Sequence, residues 1–364
     1  MKRFLFAYLL AAGFIVSCKK DDVDEAPVSL QTRVVTNSLN FPWEIIWGPD
    51  NHIWMTEREG RVSRVNPQTG VVTPLITIPD VKTVTDFNGL LGMALHPDFT
   101  TSPQVFVVYN YDKEGAFMQK VVRYTYNGTT LVDPMILVDD IVGKPDGDFI
   151  HNGSRLVISN DKKLFITSGD ANDSSFPQSP LSKNGKVLRV NLDGSIPADN
   201  PIAGNPLWTS GHRNSQGLVF ANDKLYSSEH GETTDDEINI IEKGRNYGWR
   251  IVHGLCDKPN EMGFCDSNNV KEPIRVWTPT IAPSGIDYYT HDSIPQWKNS
   301  LLITTLKGKR LMAMKLAGHQ PAQEEFFQDE FGRLRDVCIS PDGKVYICTD
   351  NGENQDMIVE VSKQ

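Results

Sequence analysis

Polar residues able to grip an anion or handle a proton recur at one place relative to a local turn. His151 stands ten residues before Asp161, Arg213 ten before Asp223, and Asn88 ten before Asp98. Arg333 stands nine before Asp342, with Arg335 two further on. Residues two apart in a strand share a face, so Arg333 and Arg335 should point together while Leu334 points away. Lys307, in Thr305-Leu306-Lys307-Gly308, adds another cation. Each of these alone could be a solvated loop residue. As a set at equivalent positions they are poor choices for a packed core. Guanidinium forks suit carboxylates or phosphates, so three Arg and one Lys gathered in an acidic protein imply an anionic ligand.

The elements that would gather them form a repeat. Gly48-Pro49-Asp50 leads into Ile53-Trp54-Met55-Thr56, and His96-Pro97-Asp98 into Val105-Phe106-Val107-Val108. Asn160-Asp161 leads into Leu164–Thr167, Asn222-Asp223 into Leu225–Ser228, Ile294-Pro295 into Leu301–Thr304, and Pro341-Asp342-Gly343 into Val345–Cys348. Each is a turn signal followed by an apolar strand. The markers Asp50, Asp98, Asp161, Asp223, Pro295 and Asp342 are 48, 63, 62, 72 and 47 residues apart. A unit of about 45 residues with four strands is a propeller blade, and the longer spacings hold insertions. The fold expected is all-β: one six-bladed β-propeller of four-stranded antiparallel blades over residues 30–364. Closure of such a ring gathers residues far apart in sequence at one mouth of its axis.

Composition agrees with a large folded domain. Of 364 residues, 39% are hydrophobic and 23% charged, which excludes a disordered chain. With 36 Lys+Arg against 46 Asp+Glu the net charge is −10, which argues against nucleic-acid binding. At the start, Lys2 and Arg3 precede an apolar run from Phe4 to Val16, too short for a permanent membrane span. Ile15-Val16-Ser17 before Cys18 resembles a bacterial lipobox. This reads as a signal peptide (1–17), a lipidated tether (18–29) and an exported lipoprotein at the outer membrane, cell surface or periplasm, with the membrane touched through the lipid alone. An ordinary secretion signal cut nearby is the alternative. In an exported chain the other four cysteines permit disulfides. Cys256 and Cys265 flank a polar loop and suit a local bridge; Cys338 and Cys348 flank a turn and could meet across a hairpin.

The motifs around these residues resemble the soluble PQQ-dependent aldose (glucose/sorbosone) dehydrogenases. His151-Asn152-Gly153-Ser154-Arg155-Leu156 is similar to that family's His-x-Gly-Gly-Arg-Leu segment. Gly211-His212-Arg213-Asn214-Ser215-Gln216-Gly217 is the most specific match. Glu229-His230-Gly231-Glu232, Asp236-Glu237-Ile238-Asn239, Asn246-Tyr247-Gly248-Trp249, Ala282-Pro283-Ser284-Gly285, Leu306-Lys307 and Arg333-Leu334-Arg335-Asp336 follow in order. The likeness covers nearly the whole mature chain.

The resemblance implies oxidation of the C1 hydroxyl of aldoses to lactones, with hydride passing to PQQ and an external electron acceptor completing turnover. It makes His151 the base and Asp170 its orienting partner. It assigns the three carboxylates of PQQ to Arg213, Lys307, Arg333 and Arg335, and a quinone hydrogen bond to Asn214. It places one calcium at the carbonyls of Gly231 and Glu232, where the family has a Gly-Pro step, and a second at the Glu237 side chain and Tyr247 carbonyl. The sequence departs from the family at Phe87, where a cofactor-contacting Gln is usual and where neighbouring Asn88 is the available substitute. It departs also at Ile150, where relatives often carry a polar group. Two rival readings use the same scaffold: a non-catalytic carbohydrate- or protein-binding propeller, and a calcium-dependent lactonase.

Overall fold

The structure is a computed structural model that describes residues 26–85, 87–144, 151–316 and 321–364. The expected signal segment, Cys18 with most of the tether, and Ile150 lie outside the described residues. Among the described residues, six four-stranded antiparallel sheets are arranged as the blades of a propeller. The first strand of each blade packs against the first strands of its neighbours around the axis. These inner strands are Pro42–Trp47, Leu90–Leu95, Gly153–Ile158, Ser215–Ala221, Pro283–Tyr289 and Leu334–Ile339, taken as blades 1 to 6.

The apolar strand that recurs in the sequence is the second of each blade: Ile53–Glu57, Gln104–Lys113, Lys163–Ser168, Lys224–Glu229, Ser300–Thr305 and Val345–Thr349. It lies between two others and is buried on both faces, so it reads as an unbroken hydrophobic run. The turn before it lies at the far end of the blade. Counting back about ten residues therefore crosses the inner strand and reaches its start, where His151, Arg213, Asn88 and Arg333 stand. The ring closes through its ends: strand Leu30–Leu39 pairs with Asp356–Lys363 and becomes the outermost strand of blade 6, leaving no open seam between first and last blades.

Apolar clusters fill the spaces between blades. Ala94 and Phe106 of blade 2 pack with Leu156 and Ile166 of blade 3. Tyr289 and Leu302 of blade 5 pack with Val337 and Ile347 of blade 6. Near the axis the inner strands approach so closely that a Cβ on Gly285 would lie 1.8 Å from Asp336 Oδ1.

All six inner strands share an irregularity. Each slips register against its second strand near the mouth: between Pro42 and Glu44, Leu90 and Met93, Gly153 and Leu156, Ser215 and Gly217, Pro283 and Ile286, and Leu334 and Asp336. A bulge re-aims the side chains around it. Here it falls where the chain changes from apolar strand to buried polar residues.

Cys256 and Cys265 form a disulfide, with Cα atoms 6.4 Å apart. The hairpin pairing considered for Cys338 and Cys348 does not form; both are buried free thiols. The register explains this, since Cys338 lies opposite Tyr346 and Cys348 opposite Asp336.

Candidate active site

A cavity of about 250 Å3 opens at the mouth where the inner strands begin. His151, Arg213, Asn214, Arg333 and Arg335 line it, with Gly231 and Glu232 on one side and Trp43, Phe87 and Leu91 supplying apolar wall. Behind Trp43 the axis is closed by Arg155, which stacks on the Trp43 ring at 4.3 Å and pairs with Glu44 at 2.7 Å and Asp336 at 3.0 Å. A separate cavity lined by the same Glu44, Arg155 and Asp336 opens at the other end.

His151 lines the first cavity and meets Asp170 behind its wall. Asp170 Oδ1 lies 2.6 Å from His151 Nδ1, and both residues are buried. A carboxylate at that distance fixes the tautomer: Nδ1 carries the hydrogen, and Nε2 keeps the lone pair. Asp170 is itself held on both oxygens, by the Asn172 backbone N–H at 2.7 Å on Oδ1 and the Trp249 indole N–H at 2.7 Å on Oδ2. Burial lowers the His151 pKa, the bond to Asp170 opposes this, and the Arg213 charge adds to the lowering; the net lies below the ordinary histidine value. The ring is therefore neutral near neutral pH and able to accept a proton.

The cations carry unmet hydrogen-bonding capacity. Arg213 is 6% exposed, and among the described residues no carboxylate forms an ion pair with it. Its Nη1 donates to the His230 carbonyl at 3.2 Å, while its buried Nε has no partner. Arg333 and Arg335 both donate to Asp350 Oδ2, at 3.1 and 2.8 Å, so they share a face as expected and leave a surplus positive charge. Leu334 between them points into the apolar cluster of blades 5 and 6. Arg335 Nη1 donates to Gln216 Oε1 at 3.2 Å, and its buried Nε is also unpartnered. Buried guanidinium nitrogens without acceptors are costly unless an anion completes them. Asn214 Oδ1 accepts from Gly153 N and Gln216 Nε2, which commits its oxygen to the protein and leaves Nδ2 for the cavity.

Two expected residues stand off the wall. Asn88 is fully buried, but its Oδ1 accepts from Val84 N at 2.7 Å and Thr85 N at 3.2 Å, and its Nδ2 donates to Thr85. It holds its own loop and does not line the cavity. Its neighbour Phe87 does, half exposed, with its carbonyl tied to Asn152 Nδ2 at 2.8 Å. Lys307 is exposed at the rim, donating at 2.7 Å to Thr280, which does line the cavity.

Glu237 and Tyr247 flank a smaller neighbouring cavity of about 20 Å3, shared with Glu229, Asp235 and Gly231. Burial and the nearby Glu229 charge push the Glu237 carboxyl well above its usual range. A hard cation there would relieve both effects. Among the described residues no three His, Cys, Asp or Glu side chains converge as ligands, so such a cation would depend on backbone carbonyls as well. Gly231 is packed against its own loop: its N–H donates to Asp236 at 2.8 Å, and a Cβ there would meet the Thr234 carbonyl at 1.9 Å. The Glu232 carboxylate is exposed and lies 3.7 Å from Arg250.

Several site residues were not picked out by spacing. Asp350, Asp170 and Glu229 all stand at the mouth end of a second strand or one to two residues beyond, so reading past the far end of the repeated strand would have found them together. Glu229 accepts from His212 Nδ1 at 2.9 Å and from the backbone N–H groups of Arg213 and Asn214. His230 lines both cavities; burial, then the charges of Arg213 and Arg335, pull its pKa down to about 3, so it is a neutral ring donating from Nε2 to the Pro283 carbonyl. Trp249 carries no sequence signal for its role, because its partner Asp170 is 79 residues away.

A model of the Glucose / Sorbosone dehydrogenase family matches residues 39–359. The chain is 33% identical to quinoprotein glucose dehydrogenase B of Acinetobacter calcoaceticus, across 88% of its own length and 86% of that protein's. It is 30% identical to aldose sugar dehydrogenase YliI of Escherichia coli, across 93% and 95%. Among solved structures it is similar to the PQQ-bound form of aldose sugar dehydrogenase from Streptomyces coelicolor, with a TM-score of 0.79 and 30% identity over 93% of this chain and 100% of that one. The six-bladed ring agrees with the structural likeness, and the chain belongs to the glucose/sorbosone dehydrogenase family.

Proposed function

We propose that this protein is a PQQ- and calcium-dependent dehydrogenase that oxidises the C1 hydroxyl of aldose sugars to lactones. One observation carries the reading: an oriented, neutral histidine shares a cavity with Arg213, which has no carboxylate partner among the described residues, and with Arg333 and Arg335, which share one. A non-catalytic binder has no use for the first, and a lactonase has no evident use for the second. The residues present fit the group, since Arg213 Nε and Arg335 Nε offer carboxylate partners and Asn214 Nδ2 offers a donor to a quinone oxygen. When bound, PQQ would supply the hydride-accepting carbon and calcium a Lewis acid beside it.

The chain's own residues do the rest. His151 Nε2 takes the proton from the C1 hydroxyl, and Asp170 stabilises the imidazolium that results. Trp249 and Asn172 keep Asp170 aimed at Nδ1. Trp43, Phe87 and Leu91 exclude water from one side of the sugar. The Gly231 and Glu232 carbonyls would hold calcium against the cofactor; Glu237 and the Tyr247 carbonyl would hold a second ion. Lys307, with one N–H on Thr280, has two more to offer a cofactor carboxylate at the rim. An external electron acceptor would complete turnover.

The reading is tested by adding calcium and PQQ, singly and together, to purified protein. Ligands that bind only the folded state raise Tm by mass action, and the pair should raise it more than either alone. Aldose oxidation with an artificial electron acceptor should appear with both. No Tm shift and no turnover would refute the proposal. We also propose that residues 1–17 are removed, that Cys18 carries lipid, and that the propeller of residues 30–364 works outside the cytoplasm. The support is the apolar run ending in Ser17-Cys18.

A further inference from the structure

Lys186 opens the third strand of blade 3, Lys186–Asn191, and is fully buried. Among the described residues no carboxylate faces it. Instead its Nζ donates to three backbone carbonyls, Phe176 at 2.7 Å, Pro177 at 2.8 Å and Asn184 at 2.7 Å. A neutral amine has two N–H groups, whereas an ammonium has three. Burial pulls the Lys186 pKa down to about 7, and three carbonyl acceptors favour the form with three N–H groups. Burying an unpaired cation is a costly way to fill space, and an apolar side chain would do that better.

The carbonyls it gathers belong to the loop that starts at Asp170 and ends at Gly185. That loop touches the segments that carry His151, Arg213 and Trp249. The Pro177 carbonyl also accepts from Gly211 N at 3.0 Å, just before Arg213 and Asn214. Gln178 Nε2 donates to the Trp249 carbonyl at 2.6 Å, and Gln178 Oε1 accepts from Asn246 at 2.7 Å. Trp249 in turn holds Asp170. One buried ammonium thus ties the middle of the loop to its end and backs the indole that orients the Asp170–His151 pair.

We propose that Lys186 is a positioning residue for proton abstraction: by clamping the 170–185 loop it holds Trp249 and Asp170 where Asp170 fixes His151. The catalytic consequence rests on the function proposed above; the geometric one does not.

The test compares Lys186→Met with wild type, alone and in an Asp170→Asn background. The first readout is the His151 pKa, followed by NMR of the full-length protein labelled at histidine. Among the described residues Asp170, Arg213, Lys144 and the neighbouring His230 act on His151, and the Asp170 bond is the largest influence raising its pKa. Loosening Asp170 should lower the His151 pKa in Lys186→Met, and the shift should vanish in the Asp170→Asn background. The second readout is kcat with PQQ and calcium loaded. It should fall roughly 10–10²-fold, as expected for a small misplacement of reacting groups, with cofactor affinity held within about twofold and the acidic limb moved to lower pH. A purely structural role would lower the folded fraction and leave the pH profile of the remainder in place. If Lys186→Met does not fold, Gln178→Leu loosens the same loop at its Trp249 contact and should move both readouts the same way. An unchanged His151 pKa in whichever of these variants folds overturns the inference. If wild type oxidises no aldose, the proposed function fails, and the NMR comparison still decides this one.

Discussion

Asp170→Asn isolates the charge of the orienting group from its shape. Asp170 Oδ1 accepts two hydrogen bonds, from His151 Nδ1 and Asn172 N, and Oδ2 accepts one, from Trp249 Nε1. An amide at this position has one oxygen to place. Turned toward His151 and Asn172 it satisfies two donors and loses one; turned toward Trp249 it satisfies one and loses two. The first orientation wins, so the His151 tautomer survives and the amide NH2 confronts the indole N–H. A buried donor left without an acceptor costs about 1–3 kcal/mol of stability. Loss of the negative charge removes the interaction that raises the His151 pKa, so the base weakens and the rate falls by up to roughly 10²-fold, the low end of what a positioned base supplies. The acidic limb of kcat moves to lower pH, because the group that must be deprotonated has become more acidic. Adding Trp249→Phe removes the clashing N–H. The double variant should recover part of the stability, since the amide NH2 stays without an acceptor, and none of the rate. Urea denaturation with kcat at saturating PQQ and calcium measures both. Recovery of the rate by Trp249→Phe, or an Asp170→Asn enzyme as fast as wild type, would refute the reasoning.

Arg213→Ala and Arg335→Ala should each weaken PQQ binding by about 2–5 kcal/mol, the usual cost of truncating one side of a buried charged contact, and should regain much of their rate at saturating PQQ; cofactor titration of the two variants checks this. Arg155→Met leaves Glu44 and Asp336 buried beside each other, and should cost about 3–5 kcal/mol in a denaturation experiment. Burial already raises both of those carboxyls in the folded state, and Arg155 is the main opposing influence. Without Arg155 they rise further, so the loss should be greatest above neutral pH and shrink as pH falls and they protonate. Cys18→Ala should release the protein from the membrane fraction, because a propeller held through a lipidated first residue has no other anchor in the proposal; a wild type already soluble and free of lipid contradicts it.

The ring was legible because its second strands are buried on both faces and each follows a turn. Val105–Val108 and Leu301–Thr304 read as strands without help from distant residues. The fixed offset from those turns to the inner-strand starts then exposed His151, Arg213, Arg333 and Arg335. The closing strand Leu30–Leu39 was counted in the ring but not recognised as part of blade 6, since its partners lie more than 300 residues away in Asp356–Lys363. Asn88 obeys the same offset as His151, yet its amide turns back on Val84 and Thr85; spacing places a residue at the mouth but does not say where its side chain goes. The bulges in the inner strands decide that, and they depend on pairing with the second strand. Lys186 was invisible for a related reason: a lysine at a strand start reads as a solvated end until three carbonyls are seen around it.

The most direct measurement is the rate of His151→Gln as a function of PQQ concentration, with calcium present. Glutamine keeps a polar side chain of similar reach but cannot take a proton near neutral pH. The account predicts cofactor binding close to wild type and a loss of roughly 10²–10⁴-fold in turnover that no PQQ concentration restores. Normal aldose oxidation by His151→Gln would contradict it, whatever the fold and the cofactor.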